Sequence, residues 1–219
     1  MIYLGRISIL TIAVIVDWDN FRKSILENPK ALAIKKIEFN NDPIQVINFI
    51  KCFIDDQQER IYRIFFYLAE PYGLTQQKPD GTKVDFSKTP VYSLAMNLIK
   101  NIGQQDLTAI RRGRLSFRGW RPNRYNRSVQ EPIFIQKQVD MLMGLDIAHL
   151  SYNRLIDRIL LFSYDTDIQP ALKAARKNGI QIVMPHCPDI NSNPADLLIE
   201  HSDFKRSVLY KDIVDKLYP

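Results

Sequence analysis

Ile7 to Val16 reads Ile-Ser-Ile-Leu-Thr-Ile-Ala-Val-Ile-Val, an apolar, β-branched run without alternation. Such a run suits a central parallel strand covered on both faces. Arg60–Leu68 reads as a second strand, Ile159–Ser163 and Ile180–Met184 as further strands, and Leu115–Trp120 as a short one. Helical spacing falls between them. Asp42-Pro43 caps a run of Ile44, Ile47, Ile50 and Ile54. Thr89-Pro90 opens a helix to about Ile110, Ile135–Tyr152 is helical, and Ile168–Asn178 is a helix stopped by Gly179. Asn193-Pro194 caps another, and Leu209–Leu217 predicts a terminal one. Glu70–Pro90, rich in Pro, Gly, Gln and Lys, predicts a long mobile loop.

Strands alternating with helices predict an α/β fold, a three-layer α/β/α sandwich around a central, mostly parallel, Rossmann-like sheet. One domain over 1–219 is expected, with its motifs in about 7–186 and a helical extension in about 187–219. In such sheets ligands bind beyond the carboxyl ends of the strands, so the residues that follow each strand come under scrutiny.

Composition changes this picture little. With 219 residues, 46% hydrophobic and 25% charged, the chain is ordinary for a globular protein. No apolar run is long enough to span a membrane, and Met1–Val16 reads as a buried strand rather than a signal peptide. Cys52 and Cys187 form neither a disulfide framework nor a zinc spacing, which fits a reducing cytoplasm. His186-Cys187, between two prolines, reads as a loop. The net charge of +6 favours an anionic partner.

The acids carry the candidate chemistry. The first strand ends in Val-Asp-Trp-Asp-Asn (16–20) and a later one in Ser-Tyr-Asp-Thr-Asp (163–167). Each places two carboxylates two residues apart just past a buried run. A single such Asp is as readily a helix N-cap; two pairs at two strand ends suggest a cluster. Clustered carboxylates repel one another, and Mg²⁺ or Mn²⁺ is the usual neutraliser. Asp140, at the start of a helix and at the border of its apolar face, is the third element. Asp19 is an auxiliary ligand in this reading. Asp146 falls inside the apolar arc of the same helix, where a buried acid needs a partner. It is either a structural hydrogen-bonder, the favoured role, or a support for the site.

The set Val-Asp-Trp-Asp-Asn (16–20), Lys-Gln-Val-Asp (137–140) and Ser-Tyr-Asp-Thr-Asp-Ile-Gln-Pro (163–170) resembles the NYN domain of the PIN-like nuclease superfamily, nearest its bacterial LabA-like branch. The resemblance runs from about residue 12 to 186. It implies a divalent-metal-dependent ribonuclease with Asp17, Asp140, Asp165 and Asp167 as catalytic acids and metal ligands, and Asn20 and Ser163 as orienting groups. Tyr164 departs from the family pattern, which has glycine there, and is expected to set a large side chain beside the acids. Ile168 replaces the usual phenylalanine.

Arg111, Arg112, Arg114, Arg118, Arg121, Arg124 and Arg127 crowd one stretch, with no acid between Asp106 and Glu131 and with Phe117, Trp120 and Tyr125 interleaved. Arginine forks grip phosphate and aromatic rings stack on unpaired bases, so this stretch and Lys137 are the candidate RNA surface. The alternative is a solvated segment whose aromatics pack inward. Single-stranded RNA is the expected partner, since no groove-reading helix is evident. No membrane is expected, and self-association into a homo-oligomer is left open. Two rival functions stand beside the ribonuclease: an RNA-binding module with little or no hydrolysis, and a phosphatase. For the latter, Asp17-Trp18-Asp19 resembles the first motif of haloacid-dehalogenase enzymes, with Asp17 as nucleophile and Asp19 as general acid.

Overall fold

The computed structural model describes residues 9–35 and 43–218; Asp42, the expected cap, lies outside them. In chain order the elements are β1 (Leu10–Asp17), α1 (Trp18–Phe21), α2 (Pro29–Ile34), α3 (Pro43–Lys51), β2 (Glu59–Glu70), β3 (Thr75–Gln77) and β4 (Lys83–Asp85). They continue with α4 (Pro90–Gly103), β5 (Thr108–Pro122), β6 (Gln130–Lys137), α5 (Val139–Tyr152), β7 (Arg158–Phe162) and α6 (Gln169–Lys177). The last are β8 (Gln181–His186), α7 (Asp196–Glu200), β9 (Phe204–Ser207) and α8 (Tyr210–Leu217).

The sheet runs in the order β6-β5-β2-β1-β7-β8-β9. All neighbours are parallel except β5 and β6, so an antiparallel strand closes one edge. Alternation in β1 divides the core. Ile12, Val14 and Val16 pack with Phe21, Phe49, Phe53, Ile102 and Ile213, on the face of α1, α3, α4 and α8. Ala13 and Ile15 pack with Val139, Met143, Ile147 and Leu172, on the face of α5 and α6. A sheet apolar on both faces needs cover on both, and the result is a three-layer α/β/α sandwich.

From β1 the chain builds outward through β2 and β5, then returns through β7 to build the other way. The crevice above the carboxyl ends of β1 and β7 is therefore the topological switch point, where such sheets bind ligands. At the opposite edge Glu59, its side chain fully buried, is paired with both Arg158 and Arg206 and ties β2, β7 and β9 together.

Several sequence expectations are corrected. The helix from Thr89 stops at Gly103, and the chain to Ile110 has already entered β5. The strand expected over Leu115–Trp120 is the outer part of β5. Ile135 lies in β6, so the helix expected from there begins at Val139. The stretch 70–90 holds a small hairpin, β3 with β4. His186 closes β8 instead of lying in a loop. The C-terminal stretch adds β9 to the sheet as well as helices. Among the described residues no helix is long and apolar enough to cross a membrane.

Candidate functional site

Asp17 is the last residue of β1 and is 1% exposed. By alternation it shares the α5 face with Ala13 and Ile15. Its carboxylate accepts hydrogen bonds from the Asn20 side-chain amide (2.7 Å) and the Asn20 backbone N–H (3.2 Å), and so caps α1. The Ser163 hydroxyl, in line just past β7, donates to Asp17 Oδ2 at 3.5 Å. Ser163 Oγ also accepts from the Asp165 N–H at 3.2 Å, and Asp165 caps the turn that holds Asp167. Both strand-end acids are thus N-caps. Capping consumes one oxygen of Asp165 and leaves its charge unpaired.

Asp140 enters from the other side. Gln138, left-handed at φ 75°, turns the chain from β6 straight into α5. A side-chain-bearing residue held there costs roughly 1–2 kcal/mol, and the turn puts Asp140 in the first turn of α5. Gly113 of β5 makes room for that turn. A Cβ on it would lie 2.5 Å from Val139 Cγ2 and 2.6 Å from the Lys137 carbonyl oxygen.

The acids lie within one another's field. Burial raises the Asp17 pKa, the Asn20 hydrogen bonds oppose it, and the charges of Asp140 and Asp19 add to it. Burial also raises Asp140, followed by the charges of Asp165 and Asp167. Among the described residues no lysine or arginine forms an ion pair with Asp17, Asp140, Asp165 or Asp167. Nor is any group of three acids, histidines or cysteines drawn close enough to hold a metal ion. The donor chemistry still fits a hard divalent cation: oxygen ligands carrying uncompensated negative charge.

The remaining expected residues divide. Burial would raise Asp19, but Lys23 (2.7 Å) and Arg22 (3.1 Å) outweigh it and hold the carboxyl below its ordinary value. Asp146 is bonded within the fold. It accepts from Tyr67 Oη (2.8 Å) and Arg111 Nε (2.6 Å), and so fastens α5 to β2 and β5. Tyr164 directs its hydroxyl to Ser192, in the loop after β8. Burial first, then Cys187, pushes its pKa up to about 12, with the Ser192 bond opposing.

The arginines sit on an arm. β5 pairs with β2 only as far as Arg114; from Leu115 to Pro122 it pairs with β6 alone. Because β5 is parallel to β1, this overhang projects past the carboxyl edge, the side of the acids. Gly119, at φ 122°, takes the positive-φ position of a bulge in the arm. Arg112 is paired with Glu70 and Arg121 approaches Glu131 at 3.6 Å. Arg114, Arg118, Arg124, Arg127 and Lys137 have no ion pair among the described residues. Phe117 and Trp120 follow the inward alternative: with Tyr72, Phe86 and Phe134 they form a cluster, and Trp120 Nε1 donates to the Gln77 carbonyl at 2.8 Å. Tyr125, 91% exposed at the tip, is free to stack. Sequence reasoning missed Gly113 and Gln138. A lone glycine inside a strand of arginines was the available signal for close approach.

The NYN domain family matches residues 11–202. No curated protein matches the chain. Among solved structures the chain is similar to a protein of unknown function from Vibrio parahaemolyticus, at 12% identity and a TM-score of 0.48, over 94% of this chain and 96% of that one.

Proposed function

The chain belongs to the NYN domain family of the PIN-like nucleases, and on that premise we propose that it is a divalent-metal-dependent ribonuclease acting on single-stranded RNA. One observation carries the reading: Asp17, Asp140, Asp165 and Asp167 stand at the switch point and, among the described residues, none of them has a basic partner. Charge left uncompensated in this way is costly unless a cation joins it.

Asp17, Asp140, Asp165 and Asp167 would hold Mg²⁺ or Mn²⁺. Bound there, the ion would supply charge neutralisation at the phosphate and acidify a water. The chain's own groups do the rest. Asn20 and Ser163 fix the orientation of Asp17. Arg114, Arg118, Arg124 and Arg127 on the arm attract the phosphodiester backbone, and Tyr125 offers a face to an unpaired base. The phosphatase reading is less well supported, because its general acid, Asp19, is held in ion pairs with Lys23 and Arg22. The non-hydrolytic RNA-binding reading draws on the acids not being gathered for a metal among the described residues.

Cleavage of an end-labelled single-stranded RNA separates the two. Wild type is expected to cut with Mn²⁺ or Mg²⁺ and to stop with EDTA. Asp17→Asn and Asp165→Asn are expected to lose about a hundredfold or more of the rate while still binding RNA. Wild type that binds RNA but never cuts it in any divalent metal would sink the enzyme reading.

A further inference from the structure

A groove follows the carboxyl edge between α1, the end of β2, α4 and the root of the arm. Two adjoining cavities of about 350 and 290 Å³ make it up, and both are lined by Trp18, Asp19, Leu68, Ala69 and Leu115. One end runs along α4, where Val91 and Leu94 line it and stand 75% and 49% exposed. The other ends at Phe134 and Gln136 of β6. The Gln136 side-chain amide has no hydrogen-bond partner among the described residues.

We propose that this groove receives an unpaired nucleobase of the RNA strand whose phosphate lies at the acids; the proposal rests on the ribonuclease reading. Continuity is the first argument. The groove walls grow from two of the three segments that carry the acids: Trp18 and Asp19 directly follow Asp17, and Gln136 shortly precedes Asp140. Charge is the second. Leu115 and Gln136 pair across the arm next to the Arg114 and Lys137 pair, whose side chains leave from the other face of the ribbon, so cations for the backbone stand across the ribbon from the apolar walls. Chemistry is the third. A base has two flat faces for apolar walls and a polar edge, and the Gln136 amide offers one acceptor and two donors to such an edge. The cavity sizes lie at the small end of the roughly 300–1,000 Å³ of ligand pockets. That suits a flat ring better than a second protein surface.

The test is RNA binding by fluorescence anisotropy, with the full chain in EDTA so that no strand is cut. The probes are the four homopolymer octanucleotides and an octamer of abasic ribose phosphate. Wild type is expected to bind the best homopolymer about tenfold more tightly than the abasic strand. Leu94→Trp and Val91→Trp, which fill the groove from the α4 wall, should bring that ratio close to one and leave abasic affinity unchanged. Gln136→Leu should keep the ratio but flatten the ranking among homopolymers. Circular dichroism checks the fold of each variant, and Leu94→Trp changes a half-exposed helix position.

An unchanged ratio in Leu94→Trp overturns the proposal. So does an equal loss on base-bearing and abasic strands, or a dimer in sedimentation equilibrium that the same substitution dissolves. If no strand binds wild type, the groove proposal and the ribonuclease reading both fail. Base-dependent binding without cleavage in Mn²⁺ removes the hydrolysis alone.

Discussion

Two buried acids, Glu59 and Asp17, sit at opposite edges of the sheet and titrate in opposite directions. Burial would raise Glu59, but Arg206, the Asp55 N–H and Arg158 outweigh it and hold the carboxyl at about 2, against 4.5 ordinarily. The folded value lies below the unfolded one. Its contribution is therefore complete above about pH 4.5 and is lost as pH falls toward 2. Glu59→Gln leaves Arg158 and Arg206 without their counter-charge and should cost about 3 kcal/mol at neutral pH, a fall in melting temperature of about 10 °C. Asp17 is raised above 3.8, so its charge opposes folding at neutral pH, and that cost vanishes as pH falls below 3.8. Asparagine caps a helix as well as aspartate does. Asp17→Asn should thus melt at or above the wild-type temperature at pH 7, and the two should converge in acid. Thermal melts across pH check both. A destabilised Asp17→Asn would mean that this carboxylate is structural.

At the scale of elements, the junction of β5 with α5 decides where Asp140 sits. Gly113→Ala drives a methyl into Val139 and the Lys137 carbonyl, and the helix start must move. The expected cost is about 2 kcal/mol of stability and a tenfold to hundredfold loss of cleavage on the order of a misplaced catalytic group. RNA affinity should hardly change, since the arm keeps its arginines. Denaturant midpoints, cleavage rates and anisotropy separate the three effects. This junction is also where the sequence misleads. The strands β1, β7 and β8 announce themselves because both faces are buried and the apolar run is unbroken, and β2 does so over Ile64–Leu68. β5 and β6 hide: β5 is studded with arginines, and β6 carries Pro132 at an edge, where its missing N–H costs nothing. Their pairing with each other and with β2 overrides a local pattern that resembles helix.

The whole molecule segregates its charge. The net charge is +6, yet the acids occupy the crevice and much of the unpaired arginine stands on the arm beyond it. Four or five phosphate contacts from Arg114, Arg118, Arg124, Arg127 and Lys137 would give a log–log salt slope of about −3 for single-stranded RNA. A slope near zero would remove the arm from the RNA interface. The acidic motifs were legible because each follows a strand or opens a helix, so order along the chain carried their meaning. The need of Asp146 for a buried partner was legible, but the partners themselves, Tyr67 and Arg111, were not, nor were those of Tyr164, Phe117 and Trp120, since each lies distant in sequence: Ser192 and the Tyr72–Phe86 segment.

That last cluster has a bearing on how such a protein diversifies. Tyr72, Phe86, Phe117, Trp120 and Phe134 secure the arm apart from the two apolar clusters that flank the sheet. The tip between Pro122 and Gln130 can therefore change in length, charge or aromatic content without unsettling the main core. Grip on a substrate and the machinery beneath it are free to drift at different rates, and relatives with the same acids need not share the same targets.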